Sequence, residues 1–191
     1  MRKPIVLGIL ILALAATVQA AEPVAGDMSL TAGAGINMPS EDGAKNGYIV
    51  GGGLGFNVTN SLVLGAEVAY LGYGNETGTA DNLGSPIDYS IGQSFFNYAG
   101  AARYYFSGGK SSPYLKGFLG RYNYSLDSNF GGLELNGSAS DLQYGGGVGL
   151  TIRGDRESSF YIEALYNQLQ GDEDSATIYT FTLGMDLTIG L

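Results

Sequence analysis

Between Tyr179 and the last residue, Leu191, apolar and polar side chains alternate one for one. Tyr179, Phe181, Leu183, Met185, Leu187, Ile189 and Leu191 fall on one parity, and Thr180, Thr182, Gly184, Asp186, Thr188 and Gly190 on the other. A period of two marks an extended strand with one apolar and one polar face. The run exceeds an ordinary strand of ~5–6 residues and meets the ~9–11 that a tilted strand needs to cross a bilayer.

The same parity recurs along the chain. In residues 28–37, Met28, Leu30, Ala32, Ala34 and Ile36 oppose Ser29, Thr31, Gly33, Gly35 and Asn37. In 48–58, Tyr48, Val50, Gly52, Leu54, Phe56 and Val58 oppose Ile49, Gly51, Gly53, Gly55 and Asn57, and in 62–71, Leu62, Leu64, Ala66, Val68 and Tyr70 oppose Val63, Gly65, Glu67, Ala69 and Leu71. Residues 94–106 set Phe96, Tyr98, Ala102, Tyr104 and Phe106 against Asn97, Ala99, Ala101, Arg103 and Tyr105. Residues 141–153 set Leu142, Tyr144, Val148, Leu150 and Ile152 against Gln143, Gly145, Gly147, Gly149, Thr151 and Arg153, and Phe160, Ile162, Ala164 and Tyr166 then oppose Glu163 and Asn167. Residues 114–124 complete a set of eight strands. Lys116 and Arg121 differ in parity there, and the reading places Tyr114, Lys116, Phe118, Tyr122 and Tyr124 outward, with Lys116 snorkelling from the strand start and Arg121 inward.

Two hairpins repeat one another. "GGGLGFNVTNSLVLGAEVAY" and "GGGVGLTIRGDRESSFYIEALY" each run a Gly-rich strand into a turn and an apolar strand, with Glu67 matching Glu163 and Tyr70 matching Tyr166. The second turn is two residues longer, an even insertion that preserves which side chains share a face. A nucleotide-binding reading of the glycines requires a helix after each Gly turn, and no helical period follows either. Most of these glycines lie on the polar parity, where an eight-stranded barrel is just wide enough for side chains and Gly leaves room for Arg, Glu and Tyr to cross.

Arg2 and Lys3, an apolar run from Ile5 to Ala16 and the small-residue site Val18-Gln19-Ala20 have the three parts of a secretory signal. The expected organisation is a cleaved signal peptide at 1–20 and a single barrel domain at 21–191. Removing the signal takes two of the nine basic residues and none of the eighteen acidic ones, so the mature chain carries 7 − 18, a formal charge of −11. Nucleic acid is therefore not an expected partner. Cysteine is absent, so disulfides do not hold the exported fold together. The joins at 59–61, 107–112 and 154–159 are short and those at 38–46, 74–92, 125–139 and 168–176 longer, the alternation of periplasmic turns and external loops. Phe56, Phe106, Tyr114 and Phe160 are assigned to one interfacial girdle, and Tyr48, Tyr70, Tyr124 and Tyr166 to the other.

The signal, the "LGAEVAY" strand, the "YAGAARYYF" and "SPYLKGFLGRYNY" hairpin and the "YGGGVGLTIR" strand together resemble the small outer-membrane β-barrel superfamily that includes the OmpA transmembrane domain and OmpX-type proteins. The resemblance covers the mature chain. It implies an all-β fold, an eight-stranded antiparallel up-and-down transmembrane barrel in the outer membrane of a Gram-negative bacterium, inserted by the barrel-assembly machinery among outer-membrane lipid and lipopolysaccharide. Members commonly end in an aromatic residue, whereas this chain ends in Leu191; with strands running to the last residue, no periplasmic peptidoglycan-binding domain is expected.

Function follows from what the faces carry. An outer-membrane hydrolase or acyltransferase activates its serine with histidine, and the chain has none, so no catalytic residues are assigned. No cofactor or metal is expected: the acidic run Asp172, Glu173, Asp174 lacks the spacing of a calcium loop and reads as a solvated loop. Glu67, Glu163 and Asp186 share the polar parity with Arg103, Arg153 and Arg121, and a narrow lumen forces such charges to pair. The expectation is a monomeric, non-catalytic barrel with a plugged polar interior. It acts structurally or meets a host or surface ligand through acidic loops carrying Glu41, Asp42, Glu76, Asp81, Asp88, Asp127, Glu134, Asp172, Glu173 and Asp174 against Lys45. The alternatives are a small-solute outer-membrane channel and a soluble exported barrel with an apolar ligand inside.

Overall fold

The computed structural model describes residues 24–40, 45–82, 85–106, 109–154, 158–171 and 175–189. The leader at 1–20, the loop acids Glu41, Asp42, Asp172, Glu173 and Asp174, and Leu191 lie outside them. The strands are β1 (Met28–Pro39), β2 (Gly47–Asn57), β3 (Leu62–Asn82), β4 (Ser85–Tyr105), β5 (Ser111–Phe130), β6 (Leu133–Arg153), β7 (Ser158–Gln170) and β8 (Ser175–Ile189). Each pairs antiparallel with its chain neighbour, and β1 pairs with β8 from Met28↔Ile189 to Pro39↔Ile178, so the sheet closes into a barrel. Closure leaves no sheet edge at membrane level, where unpaired peptide groups would each cost several kcal/mol.

The alternation sets the register. Leu30, Val50, Leu54, Leu64, Val68, Tyr98 and Ile162 face out, and Thr31, Asn57, Asn97, Gln143 and Asn167 are buried in the lumen. Slipping any strand by one residue would exchange the two sets, which makes register strongly specified here. The first short connection is tight: Val58 donates its N–H to the Leu62 carbonyl, and the Thr59 hydroxyl accepts from the N–H groups of Ser61 and Leu62. This turn lies at the periplasmic end.

At the opposite end, two segments expected as long loops are strand. β3 and β4 stay paired to Asn82↔Ser85, β5 and β6 to Phe130↔Leu133, and β4 and β5 to Tyr89↔Phe130, so residues 74–92 and 125–139 build a four-stranded sheet standing out from the barrel. A register shift between Tyr73 and Glu76 marks where β3 leaves the barrel wall. Gly131 and Gly132, at φ of 58° and 91°, close the β5–β6 hairpin in the left-handed region that a two-residue turn requires.

Residues 114–124 have the reverse of the expected orientation. Tyr114, Lys116 and Tyr122 are buried in the lumen with Phe118 beside them, and Leu115, Gly117, Leu119 and Arg121 face outward. Both faces of this strand carry bulky apolar groups, so alternation does not choose between them. Cross-strand partners do: Tyr114 stands opposite Tyr105 and Lys116 opposite Arg103, both lumenal. Tyr114 and Tyr124 therefore leave the girdles. Exposed rings include Phe56, Tyr104, Phe106 and Phe160 toward the periplasm and Tyr48, Tyr70, Phe96 and Tyr166 toward the outside.

Candidate functional site

Three neighbouring strands, β3 to β5, together with β7 and β8 aim charges at one level of the lumen. Arg103 on β4 holds Glu67 of β3 through Nη2 (3.0 Å to Oε1) and Asp186 of β8 through Nη1 (3.2 Å to Oδ1). Lys116 on β5 bridges the two matched glutamates of the repeat, at 2.7 Å from Glu67 Oε2 and 3.1 Å from Glu163 Oε1. The Tyr114 hydroxyl donates to the other oxygen of Glu163, at 3.0 Å. The result is a continuous chain of contacts across the barrel, Asp186–Arg103–Glu67–Lys116–Glu163–Tyr114. Asp186 Oδ2 is buried without a hydrogen-bond partner.

Aromatic rings pack the cluster from the periplasmic side. The Arg103 guanidinium lies 5.7 Å from the ring centre of Tyr114 and 5.5 Å from that of Tyr161, a cation–π arrangement on two sides. Glycines make room for both rings: a Cβ at Gly149 would strike Tyr114, and one at Gly33 or Gly184 would strike Tyr161. The arrangement pairs each of the two cations with two carboxylates and leaves Asp186 Oδ2 unsatisfied.

Of the residues expected to meet there, Glu67, Arg103, Glu163 and Asp186 do. Arg121 does not: it lies on the outward face of β5, one consequence of that strand's reversed orientation. Arg153 sits at the periplasmic end of β6 with its guanidinium 5.9 Å from the Tyr105 ring, and it is Lys116 that supplies the second cation of the cluster. A signal for Lys116 was present in the sequence. Its outward-parity neighbours are Leu115 and Leu119, which puts it inside the apolar band, whereas Arg121 is followed on its own parity by Asn123, Ser125 and Asp127. A cation on the lipid face costs about 2–4 kcal/mol at mid-membrane and about 0–1 near an interface, so Arg121 is the one that can face lipid.

Above the cluster the lumen is layered. A belt of amides comes first: Asn167 Nδ2 donates to Ile178 O at 3.0 Å and to Thr180 Oγ1 at 2.8 Å, and Thr180 donates to Asn37 Oδ1 at 3.2 Å. A cavity of about 80 Å³ between Asn97, Gln143, Glu67 and Glu163 lies directly over the charges. Next is an apolar layer of Leu71, Tyr122, Leu169 and Ile178, and at the mouth a cavity of about 400 Å³ opens to the outside.

Known proteins with this architecture agree with it. The structure superposes on Ail, the attachment invasion locus protein of Yersinia pestis, with a TM-score of 0.61 at 18% identity over 87% of this chain and 100% of that one. Neisserial surface protein A gives 0.61 at 15% identity over 87% and 99%, and OprG of Pseudomonas aeruginosa 0.52 at 13% over 91% and 100%. These likenesses concern the fold. Sequence comparison with curated proteins returns no match. The family model for the outer membrane protein β-barrel domain, however, matches residues 7–187, nearly the whole sequence. A closed eight-stranded barrel with an apolar outer surface and a charge-paired polar lumen, matched over residues 7–187 by that model, belongs to the outer membrane protein β-barrel domain family and resides in the outer membrane of a Gram-negative bacterium.

Proposed function

We propose that this chain, exported by a removable leader at residues 1–20, is a non-catalytic, solute-tight barrel that serves as a rigid membrane base for its projecting sheet, through which it meets partners at the cell surface. The observation that carries this reading is the unbroken series of contacts from Asp186 through Arg103, Glu67 and Lys116 to Glu163. A solute would have to part at least one of these pairs in a low-dielectric lumen, where separating buried charges is costly. A small-solute channel is the competing reading, and the narrowing from about 400 Å³ at the mouth to about 80 Å³ above the charges weighs against it. The absence of histidine supports the non-catalytic assignment.

The projecting sheet supplies the contact surface. Asp88, Asp127 and Glu134 share one face of it with Thr79, Asn129 and Asn136, a polar and acidic surface turned away from the barrel axis. Ail of Yersinia pestis has been solved in complex with the heparin analogue sucrose octasulfate. The acidic face here favours partners of the opposite charge, cationic peptides or surfaces joined through divalent cations. Planar-bilayer recording on refolded protein tests the closed lumen: the expected trace shows no steady single-channel steps, and large stable conductance in the unmodified protein refutes it.

A further inference from the structure

The apolar faces of β4, β5 and β6 change sides where these strands leave the membrane. Within the barrel Phe96 and Tyr98 of β4 face lipid, whereas in the projecting sheet it is the lumen-side parity that is apolar: Ile87, Tyr89 and Ile91 on β4, Leu126 and Phe130 on β5, Leu133 and Leu135 on β6. Phe130, Leu133 and Leu135 are 39%, 62% and 54% exposed, and Tyr89 stacks on Phe130 at 6.0 Å. This face meets the mouth cavity at Ile91, which belongs to both, with Ser128 and Glu76 as its polar members there. Inside the cavity Phe95 centres a nest of rings, 5.6 Å from Tyr73, 5.8 Å from Tyr122 and 4.9 Å from Tyr124. Leu169 and Ile178 complete the wall.

We propose that the mouth cavity and the apolar face of the projecting sheet form one binding site for a single acyl chain of an amphiphile entering from the extracellular side. The shape selects a chain over a compact guest. From Tyr122 to Phe130 is eight residues of strand, roughly 26 Å at ~3.3 Å each. A small ring compound would fill the cavity and leave the exposed face uncovered, whereas a chain with its methyl end among Leu169, Ile178 and Tyr122 covers both. The site is blind. The amide belt and charge cluster beneath it stop the chain, so the ligand is held rather than passed, and in this respect the proposal rests on the closed-lumen reading. Lys45 and Glu76 both line the cavity, and Lys45, its one cation among the described residues, is the group that would meet a carboxylate head emerging at the rim.

The chain contains no tryptophan, so single-tryptophan reporters are unambiguous. Gln93→Trp places a reporter on the exposed wall of the cavity, and Tyr98→Trp places a control on the lipid face. Both are refolded into lipid nanodiscs, with the folded gel band as the test of integrity. In one arm a chain-brominated fatty acid is added from the aqueous side; in a second, chain-brominated phosphatidylcholine is built into the disc; in a third, bromonaphthalene is added. Saturable quenching of the cavity reporter by the fatty acid, or strong quenching by the brominated lipid, is expected while the control follows membrane partition alone; the arm that responds identifies the source of the chain. Ile91→Asp added to the reporter should remove the saturable component with the folded band retained. Quenching in neither acyl arm, a response only to bromonaphthalene, or quenching that rises linearly as in the control overturns the proposal. A conducting barrel that still binds the chain would refute the closed lumen and leave the site standing.

Discussion

Replacing Lys116 by methionine should be among the most damaging single substitutions in the barrel. Lys116 and Glu163 each have about 4% of the side chain exposed, and Glu67 about 25%. As drawn, the cluster has two cations, Arg103 and Lys116, against three carboxylates, Glu67, Glu163 and Asp186. Removing the ammonium leaves one cation for three carboxylates, and Glu163 keeps only a neutral donor, the Tyr114 hydroxyl, at that oxygen pair. Breaking a buried pair from one side costs about 3–5 kcal/mol, and this is the range expected for Lys116→Met. Glu163→Gln should cost less. It brings the cluster to two cations and two carboxylates, leaves Lys116 on Glu67 at 2.7 Å, and forfeits charge-assisted hydrogen bonds worth about 1.5–3 kcal/mol. The double variant should be more stable than the sum of the singles allows, because it also removes the stranded Glu163 charge. Equilibrium urea unfolding in lipid vesicles, followed by the mobility of the folded gel band, gives all three values. The reasoning fails if Lys116→Met costs less than about 1 kcal/mol, if Glu163→Gln is the worse of the two, or if the double variant is strictly additive.

Arg121 offers the contrasting case: on the outward face near the outer interface, Arg121→Leu should shift unfolding by no more than about 1 kcal/mol in the same assay, and a larger loss would return it to the lumen. Gly149→Ala introduces a Cβ against the Tyr114 ring and should destabilise by about 1–3 kcal/mol, read as a lower temperature for loss of the folded band. Glu76, Asp88, Asp127 and Glu134 outweigh Lys45 among the described residues of the outer end, so purified barrel should pass through immobilised heparin at low salt; retention that salt abolishes would contradict the electrostatic reading.

The barrel was legible because seven strands carry one apolar face each. Where Leu30, Val50, Leu64, Tyr98, Leu150, Ile162 and Leu187 meet lipid and Thr31, Gly51, Glu67, Asn97, Thr151, Glu163 and Asp186 meet the lumen, a single parity explains every residue. That parity already brought Glu67, Arg103, Glu163 and Asp186 to one side. β5 hid the remaining cation because Tyr114, Phe118 and Tyr122 are as apolar as Leu115 and Leu119, and in a strand greasy on both faces the periodic signal vanishes. Only depth separates Lys116 from Arg121, and depth depends on where the strand begins. The structure starts β5 at Ser111, so Lys116 lies well inside the wall.

The projecting sheet was missed for a different physical reason. In Ile87-Asp88-Tyr89-Ser90-Ile91, in Leu126-Asp127-Ser128-Asn129-Phe130 and in Leu133-Glu134-Leu135-Asn136 the alternation is intact, but its sense is inverted relative to the membrane strands that continue it. A strand followed outward by one parity alone therefore ends at the inversion, near Phe95-Phe96, although the hydrogen-bond ladder runs on to Tyr89↔Phe130. The inversion has a solvent origin. Below it the outside of the barrel is hydrocarbon and the narrow inside is polar; above it the outside is water, and apolar groups gain only by turning toward the axis, over the mouth. The same strands thus report two environments in sequence, and the position of the switch, between the ring nest at Phe95 and the lipid-facing Phe96 and Tyr98, locates the outer boundary of the membrane on the molecule.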